Sequence, residues 1–204
     1  MYVFYGYVED GYDENGHIVY KNMDDDPAIT AADKTIIGDP NPDFLVNLTT
    51  AVSYKGFTLS AFFQSSIGND IYSLSMAAQA YDYGYNGNTL REVYYNHWTP
   101  ENPTAKYPNL DQTSYKMSDR FVYDGSFVRL KNLELAYDVP CARSKFIKRA
   151  RAYVSAQNLF TITSYPFWDP DINANGGGSS MIQGVDSYCY PSARTYTIGC
   201  RLTF

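Results

Sequence analysis

The final stretch of the chain, Ser192 to Phe204, constrains the fold more than any other, because it alternates strictly and stops on an aromatic residue. In an extended conformation Tyr196, Ile198, Cys200, Leu202 and Phe204 share one face, and Thr195, Thr197, Gly199, Arg201 and Thr203 share the other. A soluble sheet would bury the apolar set. A transmembrane barrel strand would show it to lipid and turn the polar set toward a wet interior. Eleven residues from Arg194 to Phe204, at about 3.4 Å each and tilted about 45°, rise about 26 Å, close to the apolar band of an outer-membrane barrel. On this stretch alone both readings stand.

Composition narrows the choice. Aromatic residues make up 17% of the 204 residues, with 21 Tyr and 11 Phe but 2 Trp. Tyr joins an apolar ring to a polar tip, which suits sheet surfaces, sugar-contacting loops and the girdles of membrane barrels, and a secreted β-sandwich tolerates it as well. No run of 18 apolar residues occurs and the mean hydropathy is negative. A membrane helix is thereby excluded, whereas a barrel, whose strands are half polar, is not. The start, Met1-Tyr2-Val3-Phe4-Tyr5-Gly6, lacks a basic region and a separate cleavage site and does not read as a signal peptide, so an exported protein would carry this chain as a piece of a longer precursor or a truncated product. The net charge is −6, with ten acids against Lys21 and Lys34 in residues 1–43 and five bases without an acid in 141–151. That distribution argues against a nucleic-acid partner, and the basic run reads as a solvated turn. Cys141, Cys189 and Cys200 have no metal spacing, and Cys200 reads as a small hydrophobe on the last strand.

Taken in order, residues 2–8 read as a short aromatic strand, Gly11 to Gly16 as a turn, and Ile18-Val19-Tyr20 as a brief extended piece. In the segment 22–33, Asn22, Asp24, Asp26, Thr30 and Asp33 stand at positions 1, 3, 5, 9 and 12 of a calcium loop, a pattern a hard cation favours because it gathers several oxygens from one turn. Pro27 stands where the sharp turn needs Gly, and Asp33 is shorter than the bidentate Glu; a solvated acidic turn without metal is the competing reading. Residues 44–55 and 57–66 alternate about Lys55-Gly56 and predict a hairpin of two spanning strands. Strands are also predicted at 126–138, 149–160 and 194–204, with long loops at 67–125 and 161–191, inside which Ser75 to Tyr81 and Leu90 to His97 could form short helices. In the third strand Leu133, Leu135 and Tyr137 alternate cleanly, but Arg129 and Lys131 fall in the same phase. Its upstream part is therefore expected to stand above the membrane or to carry a bulge. Gly176-Gly177-Gly178 has no strand or helix context for a phosphate site and reads as flexible loop.

Several of these motifs together carry a family resemblance: the Asp-rich loop, Ile37-Gly38-Asp39-Pro40-Asn41-Pro42, Tyr54-Lys55-Gly56-Phe57, Trp98-Thr99-Pro100-Glu101-Asn102-Pro103, Ser126 to Leu133, Ala156-Gln157-Asn158-Leu159-Phe160, Asp169-Pro170-Asp171 and the terminal Phe204. In this order they resemble the C-terminal end of the SusC/RagA-like TonB-dependent outer-membrane transporters, from about Tyr5 to Phe204. The departures are Pro27, where the family's acidic loop usually has Gly, and Asp171, where Glu is usual.

The resemblance implies an all-β fold in which antiparallel strands form the C-terminal section of a large transmembrane barrel, 22-stranded in the family, with a partial strand and acidic extracellular loop at 1–43 and barrel strands in 44–204. It implies no enzyme. It implies import of glycans or peptides with a SusD-like surface lipoprotein, a TonB complex reached through an N-terminal part outside this chain, and residence in the outer membrane of a Gram-negative bacterium with the C-terminus periplasmic. The turns at Lys55-Gly56 and 140–148 would then be periplasmic and the long loops extracellular. Loop aromatics Trp98, Tyr107, Tyr165 and Trp168 become substrate candidates, each with loop packing as the competing duty. Tyr196, Ile198, Cys200, Leu202 and Phe204 would face lipid, and Arg151, Tyr153, Ser155, Gln157, Thr197 and Arg201 the lumen. Five strands cannot close, so the segment is expected to need its neighbours. No cofactor is expected beyond the possible calcium. The alternative is a soluble secreted calcium- or carbohydrate-binding β-module; an enzyme comes third, since His17 and His97 stand far apart without a nucleophile motif.

Overall fold

The computed structural model describes residues 2–81, 88–112, 115–141, 146–172 and 183–204. Strand β1 is Phe4–Gly6, β2 Glu9–Tyr12, β3 Ile18–Tyr20, β4 Thr35–Gly38, β5 Phe44–Tyr54, β6 Phe57–Ile67, β7 Asp70–Ser73, β8 Val122–Asp124, β9 Phe127–Val139, β10 Arg149–Thr163, β11 Val185–Asp186 and β12 Thr195–Thr203. Among the described residues two α-helices, α1 (Leu74–Tyr81) and α2 (Arg91–Tyr95), and a 3-10 turn at Asp119–Phe121 lie between β7 and β8. Gly176-Gly177-Gly178 and residues 142–145 of the basic turn lie outside the described residues.

The five long strands form one antiparallel sheet in the order β12-β10-β9-β6-β5. Each is long enough to matter for a membrane, at 9 to 15 residues. The turn from β5 to β6 is two residues, Lys55 with φ 48° and Gly56 with φ 87°. Positive φ at both central positions is the twist that joins antiparallel strands tightly, and it is why a glycine stands here. The pairing Tyr54 with Phe57 through Phe44 with Ile67 runs without a break.

Strand β9 settles the phase conflict of Arg129 and Lys131 with a bulge. Against β6, Phe62 pairs with Asn132 while Phe63 pairs with Leu130, which leaves Lys131 as the extra residue. One extra residue flips every side chain beyond it. Leu130 and Val128 thereby join Leu133, Leu135 and Tyr137 on the apolar face, and Arg129 moves to the face of Asn132 and Glu134. Strand β10 also departs from regular pairing with β9 at this level, between Gln157 and Phe160, and Asn158 there has φ 51°. It continues to Thr163, three residues beyond the expected end.

The structure divides the chain into two compact units that interleave along the sequence, with a break at Asn41/Pro42 beside the expected boundary at 43. One comprises Met1–Asn41, Asn69–Asp124 and Ile172–Cys189; the other comprises Pro42–Gly68, Gly125–Asp171 and Tyr190–Phe204 and holds the five-stranded sheet. The first is no irregular loop. It contains the pairs β1-β4 and β2-β3 and a three-stranded sheet in the order β11-β7-β8, around buried Phe4, Ile71, Tyr72, Ala77, Val93 and Phe121. Its strands are too short to show a period, but they bury enough apolar surface to form a core of their own.

Candidate functional site

The register of the five long strands sorts the sheet into two faces. On one lie Val46, Leu48 and Val52 of β5, Phe57, Leu59 and Phe63 of β6, Leu133 and Leu135 of β9, Val154 and Ile162 of β10, and Ile198 and Leu202 of β12. Much of this face is open: Val52 is 66% exposed and Ile198 87%. An apolar face of this extent does not stay in water on a soluble monomer. Phe44 and Tyr54 bracket it on β5, ten residues apart, about 34 Å along the strand and about 24 Å at a 45° tilt. Beside Tyr54, the rings of Phe57 and Tyr137 stack with centroids 4.5 Å apart.

The opposite face is polar. It carries Gln64, Arg129, Glu134, Arg151, Tyr153, Ser155, Gln157, Thr197 and Arg201, brought level by the same pairings. Arg151, Tyr153, Ser155, Gln157, Thr197 and Arg201 share this face of the sheet. Toward the hairpin turns Arg151 sits 3.6 Å from both Glu134 and Asp138, and Arg149 and Arg201 border the same recess of about 760 Å³.

At the other end of this face stands a buried ion cluster. The Arg129 side chain, 2% exposed, donates from Nε to Thr161 Oγ1 at 2.9 Å, from Nη1 to Ser192 Oγ at 3.2 Å and Asp171 Oδ2 at 3.3 Å, and from Nη2 to Asp169 Oδ1. Asp169 also accepts the amides of Asp171 at 2.9 Å and Ser192 at 2.8 Å. Burial pushes the Asp169 carboxyl up, but those two amides and the guanidinium outweigh it and hold it below the ordinary carboxylate range. A buried Arg with paired carboxylates satisfies most of its donors, as a dry site requires. The cluster fastens the Trp168-Asp169-Pro170-Asp171 turn and Ser192 to the ends of β9 and β10. Sequence reading missed this role; the signal was a charged residue in the apolar phase of β9, followed at distance by an Asp-Pro-Asp turn.

The clamp shapes a second recess of about 620 Å³, lined among others by Trp168, Tyr190, Arg194 and Asn158. Trp168 is 75% exposed and Tyr190 87%. Of the four loop aromatics singled out from sequence, Trp168 is the one displayed. Tyr107 and Tyr165 are buried at 2% and 4%, Tyr165 against Phe167. Trp98 packs on the turn at Gly16, where an added Cβ would meet its ring at 2.3 Å. The rings of Trp98, Tyr107 and Tyr165 therefore serve packing, because large aromatic surface is the cheapest material for holding loops together.

The candidate calcium oxygens of Asn22, Asp24, Asp26, Thr30 and Asp33 accept hydrogen bonds from the loop's own backbone. Asp33 receives the amides of Met23 and Thr30, both at 2.7 Å, which lower its pKa, and it closes a capping box with Thr30. Asn22, Asp24 and Asp26 accept from the amides of Asp24, Asp26 and Ala28. Among the described residues no group of three or more His, Cys, Asp or Glu is placed to hold a metal. The oxygens serve the loop's own backbone instead. The three cysteines are free.

Comparison with known proteins places this geometry in context. No family model matches the chain. It is 34% identical over 199 residues to TonB-dependent receptor P3 of Formosa agariphila, covering 95% of this chain and 20% of that protein. It is 29% identical over 207 residues to TonB-dependent receptor SusC of Bacteroides thetaiotaomicron, covering 98% of this chain and 19% of that protein. A solved structure of the RagAB peptide transporter superposes with a TM-score of 0.81 at 25% identity, over 99% of this chain and 23% of the matched one. The chain thus spans about a fifth of the length of the curated relatives it matches. These relatives are named as receptors and transporters.

Proposed function

We propose, given that this chain is a SusC/RagA-like stretch of a TonB-dependent receptor, that it supplies five adjoining strands of an outer-membrane barrel and one wall of the passage through which a nutrient is imported. The observation that carries the reading is the two-faced sheet: an open apolar face bracketed by aromatics at a spacing that suits the hydrocarbon core, backed by a face of Arg, Glu, Gln, Ser and Thr. In this reading Tyr196, Ile198, Cys200, Leu202 and Phe204 contact lipid, and Arg151, Tyr153, Ser155, Gln157, Thr197 and Arg201 line the lumen. The edge strands β5 and β12 pair with neighbouring strands of the complete protein, since an open edge in hydrocarbon leaves amides and carbonyls without partners. The substrate is a glycan or a peptide. A SusD-like surface lipoprotein delivers it, and a TonB complex supplies the energy through the N-terminal part of the whole protein. The Phe204 end faces the periplasm, and the long loops at 67–125 and 161–191 are extracellular. The chain performs no chemistry on what passes.

The test uses the full-length receptor in bilayers with single tryptophans introduced at Ile198 and at Thr197, read as changes against the parent protein. Quenching of the probe at 198 by brominated lipid, and of the probe at 197 by aqueous iodide, is expected. The reverse pattern would refute the assignment of faces.

A further inference from the structure

We propose that the recess beside the Arg129 clamp is a subsite for an acidic oligosaccharide, a chain of uronate sugars, in which Trp168 and Tyr190 stack on sugar rings and Arg194 takes a carboxylate. The proposal rests on the reading of the polar face as the wall of a passage, and it names the substrate class that this wall selects.

Charge is the first argument. The chain as a whole is at −6, yet the unit that holds the sheet has 5 acids against 10 bases, while the other unit has 17 acids against 6 bases. The excess of positive charge is thus confined to the unit with the polar wall. Within it the acids nearest the recess are spent: Asp169 is held by Arg129 and two amides, and Asp171 by Arg129 at 3.3 Å and Lys131 at 3.6 Å. Arg194, by contrast, has no carboxylate partner among the described residues, and the same is true of Arg149 and Arg201 toward the other end of the face. A wall with unpaired guanidinium groups at both ends raises the local concentration of anions and leaves cations outside.

The second argument distinguishes a sugar from a peptide. Peptides are commonly held through main-chain hydrogen bonds. The amide of Ser192, which lines the recess, is already given to Asp169, as is that of Asp171. What remains for a ligand is two displayed aromatic rings and the Arg194 fork, since the Thr163 hydroxyl is held by Ser126 and Tyr165 and the Asn158 side-chain amide by Ala193. Flat rings offer stacking surface to the apolar face of a pyranose, and a guanidinium takes a carboxylate bidentately.

The full-length receptor in detergent is titrated calorimetrically with tetragalacturonate, neutral cellotetraose and tetraglutamate. Tetragalacturonate is expected to bind best, and Arg194→Gln and Trp168→Ala are each expected to weaken it about tenfold, with Arg194→Lys intermediate because charge without the fork keeps part of the contact. Equal affinity for cellotetraose, or an unchanged affinity in Arg194→Gln, overturns the carboxylate contact. A preference for tetraglutamate that survives Trp168→Ala overturns the sugar assignment. No tetragalacturonate binding by a receptor that still migrates as a heat-modifiable barrel overturns the subsite and leaves the barrel reading in place; a receptor without a heat-modifiable form takes down both.

Discussion

Replacing Arg129 with Met keeps most of the side-chain volume and removes the charge at the centre of the clamp. Arg129 is 2% exposed and Asp169 7%, so the lost partner leaves a carboxylate stranded in a nearly dry site. Breaking a buried pair from one side costs about 3–5 kcal/mol. Two features move the expectation to the lower end. Asp169 keeps the amides of Asp171 and Ser192, and Asp171 is 38% exposed and can turn to water. A loss of about 3 kcal/mol is therefore expected for Arg129→Met. Asp169→Asn added to the Arg129→Met variant should recover part of it, because the stranded charge is gone, giving a coupling of about 2 kcal/mol in the double-mutant cycle. The assay is urea titration of the full-length receptor folded into lipid vesicles. Acidity offers a second readout. Asp169 has a depressed folded-state pKa, so its contribution is complete above the unfolded value of about 4 and fades as the pH falls through the folded one. The fade should be smaller in Arg129→Met, where less of the depression remains. A loss under about 1 kcal/mol, or strictly additive single variants, would refute the clamp.

Two further outcomes are expected. Ile198→Arg should cost about 2–4 kcal/mol in the same vesicle assay, whereas Leu202→Arg, four residues nearer the strand end, should cost about 0–1 kcal/mol; equal costs would contradict the depth assigned to β12. Asp33→Asn should speed amide exchange at Met23 and Thr30, the two donors to its carboxylate; in the parent protein that protection should be full above about pH 4 and decline below it, the sign set by a lowered carboxyl pKa.

Much of the sheet was legible in the residues because its signal is local. A period of two over nine or more residues, as in Phe44 to Tyr54 or Thr195 to Thr203, assigns each side chain to a face without knowledge of any partner. The Lys55-Gly56 turn was legible for the same reason, since positive φ has its own residue preferences. The other unit was legible only in part: residues 2–8, 18–20, 75–81 and 90–97 were read as short pieces, whereas Thr35–Gly38, Asp70–Ser73, Val122–Asp124 and Val185–Asp186 fall in stretches read as turn or loop, because strands so short show no period. Strands such as Phe4–Gly6 and Asp70–Ser73 become stable only through burial, Phe4 against Tyr72, and Asp70–Ser73 finds its parallel partner Val185–Asp186 more than a hundred residues away. Tyr107 and Trp168 show the same limit at single residues. Both are aromatic and both stand near prolines, but one is covered and the other open, and only packing separates them.

Alternation is a property of the backbone, so the order of residues in the last strand was enough to assign its two faces, while the solvent of each stayed open on that stretch alone. The order of residues also showed that Arg129 and Lys131 break the phase of β9. How that break is resolved was settled by the folded chain. A bulge at Lys131 returns Leu130 and Val128 to the apolar face and carries Arg129 to the polar one, where two loops bring Asp169, Asp171 and Ser192 to meet it. The reason is energetic. A guanidinium is tolerated in a dry site only when carboxylates and hydroxyls from elsewhere in the chain close around it, and no local pattern encodes that meeting.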